Sequence, residues 1–296
     1  MFGRPRPSEV AAVRGELATV AWGDEEVVAG PSGEARIVSF RAQSRRGVEA
    51  RGLCKWKPRL SPAPGNPAVE QLFLMLAGQA TGARAVRLLD LPPGHAVAAL
   101  DYPYRGSRAL NRFDRALVNL PAMVAAARVT PASLSLAGLA LRSHPALAAA
   151  DLTLVGASFG GPFAILAAAA ERERYRGLAL LYAFARLDLV IAHVLSKARW
   201  APSARACAHW LLARAVRPYE PVDHLPRLAG MPLLILNDMD DALVPRATIA
   251  ALHAAAPPGA QIETVSGGHV RSDADQLIAE LVARVIAWSG TLRADL

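Results

Sequence analysis

The sequence predicts an α/β fold in which a mostly parallel central sheet carries helices on both faces. Short apolar runs, typical of buried strands, alternate with alanine-rich segments of helical spacing. Glycine, proline and charged residues separate these segments along the chain. Hydrophobic residues make up 53% of the 296 residues and charged residues 20%, which indicates a large core and argues against disorder.

A lead-in of mixed character precedes this alternation and occupies 1–35. Two β-like segments, 36–42 and 48–57, follow it, and the turn between them predicts a hairpin. A proline-rich loop, 58–67, then leads into the alternating region.

The alternating region predicts buried strands with helices between them. The predicted strands are 71–76, 95–101, 152–155, 178–182, 233–236 and 261–265. The predicted helices are 107–127, 132–149, 161–174, 245–256 and 273–289.

One stretch departs from the alternation, because two helical segments follow each other within 186–217 without a strand between them. We interpret 186–229 as a small helical insertion that divides the core into 36–185 and 230–296. Loops at the carboxyl ends of parallel strands build the ligand site, so the insertion is a candidate lid. Packing against the core is the alternative role.

The strongest local signal is a G-x-S-x-G sequence at 156–160, with Ser158 between an apolar strand and an alanine-rich helix. A serine on such a sharp turn requires neighbours of little bulk. The N-terminus of the following helix directs N–H groups and a favourable dipole toward a developing negative charge. The alternative is a small-residue turn with an incidental serine.

With this strand and helix, the segment resembles the nucleophile elbow of the α/β-hydrolase superfamily, and the resemblance extends over 36–290. It implies the α/β-hydrolase fold and a nucleophilic serine followed along the chain by an acid and a histidine. The hairpin, the short insertion and the segment 221–228 are most similar to the dienelactone-hydrolase and prolyl-oligopeptidase-like esterase branches.

The acid is expected after the strand 233–236, where three carboxylates stand close together. Asp241 begins an Asp-Ala-Leu-Val-Pro sequence that resembles the family's D-x-x-V-P pattern, so it is the candidate acid. Asp240 and Asp238 remain alternatives, and the family usually has a glycine near Asp238. A solvated acidic turn that caps the next helix is the non-catalytic alternative.

His269 is the candidate base because it follows a predicted strand and two glycines. The interval after Asp241 leaves room for one helix and one strand, as the resemblance implies. Small residues before the histidine allow its loop to fold over Ser158. An ordinary surface histidine is the alternative interpretation.

Two backbone N–H groups are needed to bind an oxyanion, and the resemblance implies one from Phe159. The other is expected in the loop after 71–76, where this chain has Ala-Gly in place of the family's His-Gly. Gln79 is the candidate second donor. Asp101 and Arg105 stand in a turn that resembles the family's D-x-R-G turn, and we expect them to fix loop geometry.

The charge of the chain and its lack of recognisable targeting signals limit the classes of partner that we expect. The net charge of +8 and the pI of about 10.2 are compatible with an anionic partner, but the basic residues are mostly arginines scattered singly. We therefore expect no nucleic-acid partner. Neither a signal-peptide core nor an unbroken apolar stretch of spanning length is evident, and the two distant cysteines are interpreted as isolated buried thiols. The expectation is a cytoplasmic protein without stable membrane insertion.

Together these residues predict a carboxylesterase-like serine hydrolase that acts on a small-molecule acyl substrate through an acyl-enzyme, with no cofactor and no metal. Thioesterases, lactonases, amidases and peptidases use the same triad. A non-catalytic binding protein of the same fold, or a lipase that contacts a membrane surface through the insertion, is an alternative. The sequence defines neither the acyl group nor the oligomeric state.

Overall fold

The computed structural model describes residues 17–30, 33–59, 67–78, 81–104, 113–270 and 273–294. Of the candidate functional residues, Gln79 and Arg105 lie outside these ranges.

A mixed sheet of ten strands forms the centre of the described chain. Its strands are β1 (Leu17–Trp22), β2 (Glu26–Gly30), β3 (Gly33–Ser44), β4 (Glu49–Lys57), β5 (Gln71–Leu76), β6 (His95–Leu100), β7 (Asp151–Ala157), β8 (Gly177–Leu181), β9 (Leu233–Asn237) and β10 (Gln261–Thr264). They are ordered β1-β3-β4-β6-β5-β7-β8-β9-β10, and β2 pairs with β3 beside β1.

The sheet is antiparallel at its N-terminal edge and parallel elsewhere. Strands β1 to β4 pair antiparallel, as does β4 with β6, whereas every pair from β6 to β10 is parallel. Strands β5, β8 and β9 are buried along their whole length, as expected for parallel strands covered on both faces.

The helices are α1 (Phe113–Arg142), α2 (Gly161–Ala170), α3 (Leu187–Ser196), α4 (Pro202–Val216), α5 (Pro221–His224), α6 (Arg246–Ala255) and α7 (Asp275–Ala294). One apolar core lies between the sheet and α1, α2 and α6. A second core lies on the other face, beneath α7 and a 3₁₀ helix at Gly82–Leu88. The predicted mostly parallel sheet with helices on both faces is therefore confirmed.

Two local predictions were wrong. The lead-in contains β1 and β2. Their sequences show little alternation of apolar and polar residues, because both strands lie at the edge of the sheet and are largely exposed. The two helices expected at 107–127 and 132–149 correspond to a single helix, α1, which continues through Pro121 and Pro131. Burial of its second half against the sheet outweighs the lost backbone hydrogen bonds.

The segment Pro121–Arg142 of α1 is long and apolar enough to cross a membrane by length and composition, although Arg128 and Pro131 interrupt its apolar sequence. In its most apolar window, 61% of the residues are buried inside the protein. A helix of a protein core that packs against a sheet can have the same length and composition, and α1 packs against β4 and β5.

The stretch between β8 and β9 is helical, with α3, α4 and α5 in succession. The exposed apolar residues Val194 and Trp210 lie on α3 and α4. The division into domains and the role of this stretch as a lid stay predictions. Cys54 is buried and Cys207 is exposed on α4, so the expectation of two buried thiols holds only for the first; both are free thiols.

Candidate functional site

Ser158 stands at the sharp turn between β7 and α2. Its φ is 51°, a left-handed conformation that is uncommon for a residue with a side chain. A Cβ at Gly156 would lie 2.7 Å from the Cβ of Ala164, and a Cβ at Gly160 would lie 2.0 Å from the carbonyl oxygen of Leu76. The turn can therefore form only with glycine on both sides of Ser158, as the motif predicts.

The structure brings the three predicted triad residues together. Oγ of Ser158 lies 3.0 Å from Nε2 of His269, and Nδ1 of His269 lies 2.6 Å from Oδ2 of Asp241. A carboxylate can only accept, so Nδ1 carries the proton and Nε2 is left to accept from the serine hydroxyl. The Asp241 side chain is 1% exposed and that of His269 is 14% exposed.

The second oxygen of Asp241 is held by the backbone. Oδ1 accepts hydrogen bonds from the N–H groups of Leu243, at 2.7 Å, and Val244, at 3.2 Å. Burial acts to raise the pKa of Asp241, but the hydrogen bonds from His269 and from these two N–H groups outweigh it and hold the pKa below its ordinary value. Asp241 is therefore an ionised, fixed acceptor.

The alternative acids occupy different places. Asp238 accepts the N–H of Gly268 at 2.8 Å through Oδ2 and the N–H of Asp240 at 2.8 Å through Oδ1. It thus ties the loop that carries Asp241 to the loop that carries His269. The sequence indicates Asp238 only as an alternative acid, because this positioning role depends on a contact with a loop 30 residues further along the chain.

Tyr182 was also missed. It follows β8 with a φ of 52°, and its ring packs edge-on against the His269 ring at 5.6 Å between centroids. Its buried hydroxyl has no hydrogen-bond partner in the described part of the chain. Burial and the charges of Asp238 and Asp241 raise the pKa of Tyr182 to about 12, so the ring is neutral. No local motif marks this residue, since its contact with His269 is purely tertiary.

The predicted oxyanion donor Phe159 follows Ser158 in the first turn of the elbow. Its ring lies 5.8 Å from that of Tyr102 and 5.4 Å from that of Phe163. The Tyr102 hydroxyl donates to the carbonyl of Ala77 at 2.8 Å, which links the elbow to the loop after β5. The other predicted donor, Gln79, lies in that loop but outside the described residues.

In the turn after β6, the structure describes Asp101 but not Arg105. Oδ1 of Asp101 accepts the N–H of Ala83 at 3.0 Å and so holds the start of the 3₁₀ helix. Gly82 has a φ of 53° and passes close to the same carboxylate. Asp101 thus shapes the loop beside the elbow and does not contact the triad.

A cavity of about 540 Å³ opens at Ser158 and His269 and continues between the sheet and α7. Within the described ranges, no cluster of three or more His, Cys, Asp or Glu residues could hold a metal ion. The arrangement provides an oriented imidazole next to a hydroxyl at the end of an apolar cavity, which are the elements of nucleophilic acyl transfer.

No protein-family model matches the sequence, and no curated protein matches it. Several solved structures are similar in fold. An acetyl xylan esterase from Thermoanaerobacterium sp. is 14% identical with a TM-score of 0.64 and covers 96% of this chain and 90% of its own. One from Paenibacillus sp. is 10% identical with a TM-score of 0.60 and covers 95% and 92%. An alpha/beta hydrolase from Penicillium sp. is 13% identical with a TM-score of 0.57 and covers 88% and 99%. At such identities the likeness concerns the fold.

Proposed function

From the premise that this chain has the α/β-hydrolase fold, we propose that it is a serine hydrolase that cleaves a carboxylic ester of a small molecule. One observation carries the proposal. An uninterrupted hydrogen-bonded path runs from the Ser158 hydroxyl through His269 to the ionised Asp241, with the serine on a strained turn. A serine needs this kind of assistance, because its free hydroxyl is a weak nucleophile.

In the proposed reaction, His269 takes the proton of Ser158 through Nε2 as Oγ attacks the ester carbonyl. Asp241 holds the ring in the required tautomer and stabilises the imidazolium, and it stays ionised throughout. His269 then protonates the departing alcohol. Water, deprotonated by His269, releases the acid from the acyl-enzyme in the second half-reaction.

The negative charge on the carbonyl oxygen requires fixed donors. We propose the Phe159 N–H, because it follows Ser158 at the start of the turn into α2, where the helix dipole also favours negative charge. Gln79 remains the proposed second donor. The Phe159 ring contacts the rings of Tyr102 and Phe163, which restricts the movement of this residue.

An ester is favoured as the substrate class because the solved structures that resemble this chain in fold over nearly its whole length include two acetyl xylan esterases. Thioesters and lactones contain the same electrophilic carbonyl and belong to the same proposal at the level of chemistry.

The test is labelling with a fluorophosphonate probe, which reacts with activated serines. Wild-type protein should be labelled, and Ser158→Ala should lose the label. Ser133→Ala is the matched control, because Ser133 is buried and bonds only to a backbone carbonyl. Absence of labelling in folded wild-type protein would leave a non-catalytic binding protein as the interpretation, and labelling of Ser158→Ala would refute the assignment of the nucleophile.

A further inference from the structure

The cavity at Ser158 lies between the central sheet and α7. Met75, Val155 and Leu181 line it from adjacent parallel strands. Leu281 and Val285 line it from α7 on the opposite side. It therefore extends into the protein along the sheet, away from the strand ends where the triad lies.

The 3₁₀ helix at Gly82–Leu88 forms part of the cavity wall. It packs on β6 and β4, and its Ala85 presents a small side chain to the cavity. The lining of this cavity of about 540 Å³ is mostly apolar, so an apolar occupant is favoured there over water, which would find few hydrogen-bond partners.

The polar side chains of the cavity lie at one end of it. Besides Ser158 and His269, the polar side chains that line it are Thr81 and Asp273, and both belong to loops at the triad end. The remaining side chains of the lining are apolar. A sugar or peptide placed in the deep part would leave its hydroxyl or amide groups without partners there, which is costly.

The dimensions define the length of the occupant. Along β5 the lining extends from Ala77 to Phe73, which is about 13 Å at the rise of a strand. Along α7 it extends from Ile278 to Ile286, which is about 12 Å at the rise of a helix. An extended chain of single bonds advances about 1.2 Å per bond, so the cavity accommodates about ten bonds.

We infer that this cavity binds an unbranched hydrocarbon chain of about eight to ten carbons that belongs to the substrate, with the ester carbonyl at Ser158 and the chain end near Phe73 and Val97. The inference rests on the proposed hydrolase function, which it deepens by naming the substrate class. Phe73 and Val97 are register partners on the neighbouring strands β5 and β6, and both line the cavity.

The first experiment compares two homologous ester series with the wild-type protein. p-Nitrophenyl esters from acetate to tetradecanoate vary the acyl side, and alkyl acetates of the same lengths vary the alcohol side. We expect kcat/KM in one series to rise up to about fourfold per added methylene until about ten carbons and then to fall. The series that responds shows which side of the ester enters the cavity, and a decline from acetate onward in both would overturn the inference.

The second experiment closes the deep end. Val97→Phe adds bulk beside Phe73, and Ala85→Leu adds bulk from the opposite wall if the first variant does not fold. In the responding series, the ratio of kcat/KM for ten carbons over that for two should fall at least tenfold. Val27→Phe, the same substitution at an exposed position of β2, is the control and should keep the wild-type ratio. An unchanged ratio in folded Val97→Phe and Ala85→Leu would also overturn the inference.

A binding experiment separates the cavity from the chemistry. Ser158→Ala cannot form an acyl-enzyme, yet decanoate should bind to it and raise its unfolding temperature, whereas acetate should not. Failure of decanoate to bind would refute the cavity assignment even if the wild type is labelled by fluorophosphonate. Binding without labelling of the wild type would refute the hydrolase function and leave the hydrocarbon site intact.

Discussion

Replacement of Asp241 by asparagine tests the triad most directly. In the native protein, Oδ2 accepts from His269 while Oδ1 accepts from the N–H groups of Leu243 and Val244. An asparagine has one oxygen and one NH₂ group. If its oxygen faces the backbone, NH₂ meets His269 and forces the proton onto Nε2, so the ring can no longer accept from Ser158. If its oxygen faces His269, NH₂ meets two backbone donors instead.

The magnitude follows from this conflict. Loss of the correct tautomer in a triad of this kind lowers kcat by about 10⁴, which corresponds to about 5 kcal/mol of transition-state stabilisation. The Asp241 side chain is only 1% exposed, so the protein groups around it determine which hydrogen bonds an asparagine could form there. We therefore expect Asp241→Asn to lose at least a thousandfold in kcat while its fold is retained.

The assay is hydrolysis of a p-nitrophenyl ester, with the rate of fluorophosphonate labelling as a second readout. Asp240→Asn is the matched control, because the carboxylate next in sequence makes no contact with His269, and it should retain activity within about threefold. A folded Asp241→Asn that keeps more than a tenth of the wild-type kcat would refute the reasoning, and so would a thousandfold loss in Asp240→Asn.

Three further predictions concern stability and folding. Tyr182→Phe removes a buried hydroxyl without a described partner, so urea unfolding should show unchanged or higher stability, by up to about 1 kcal/mol; a loss above that would reveal a hydrogen bond of this hydroxyl. Asp241 has a lowered pKa in the folded state, so its stabilising contribution is present above its unfolded pKa and is lost as the pH falls through the folded pKa. Between pH 7 and pH 3 the free energy of unfolding should therefore fall more steeply with pH for wild type than for Asp241→Asn. Equal slopes for the two proteins would contradict this. Gly160→Ala would place Cβ 2.0 Å from the carbonyl oxygen of Leu76 and should abolish soluble expression, whereas Gly290→Ala in α7 has open space and should stabilise by about 0.5–1 kcal/mol; a soluble, active Gly160→Ala would refute the steric argument.

The sequence by itself determined the sheet layers and the elbow. The apolar runs of β5, β8 and β9 are local patterns that only a doubly covered sheet satisfies. The glycines around Ser158 are visible in the sequence as a local motif, although the atoms that exclude a Cβ at Gly160 belong to Leu76 of the neighbouring strand. The strands β1 and β2 escaped detection because edge strands half exposed to solvent carry little periodic signal.

Only the tertiary structure shows that Asp241 contacts His269 and that Asp238 binds the N–H of Gly268, since both contacts depend on where the loop of His269 returns to the sheet. It alone placed the Tyr182 ring against His269 and opened a cavity behind Ser158. Hydrophobic periodicity reports which face of an element is buried, and it carries no information on which distant element fills the space opposite. A cavity is the absence of such a partner, so it becomes visible only when the whole chain has packed.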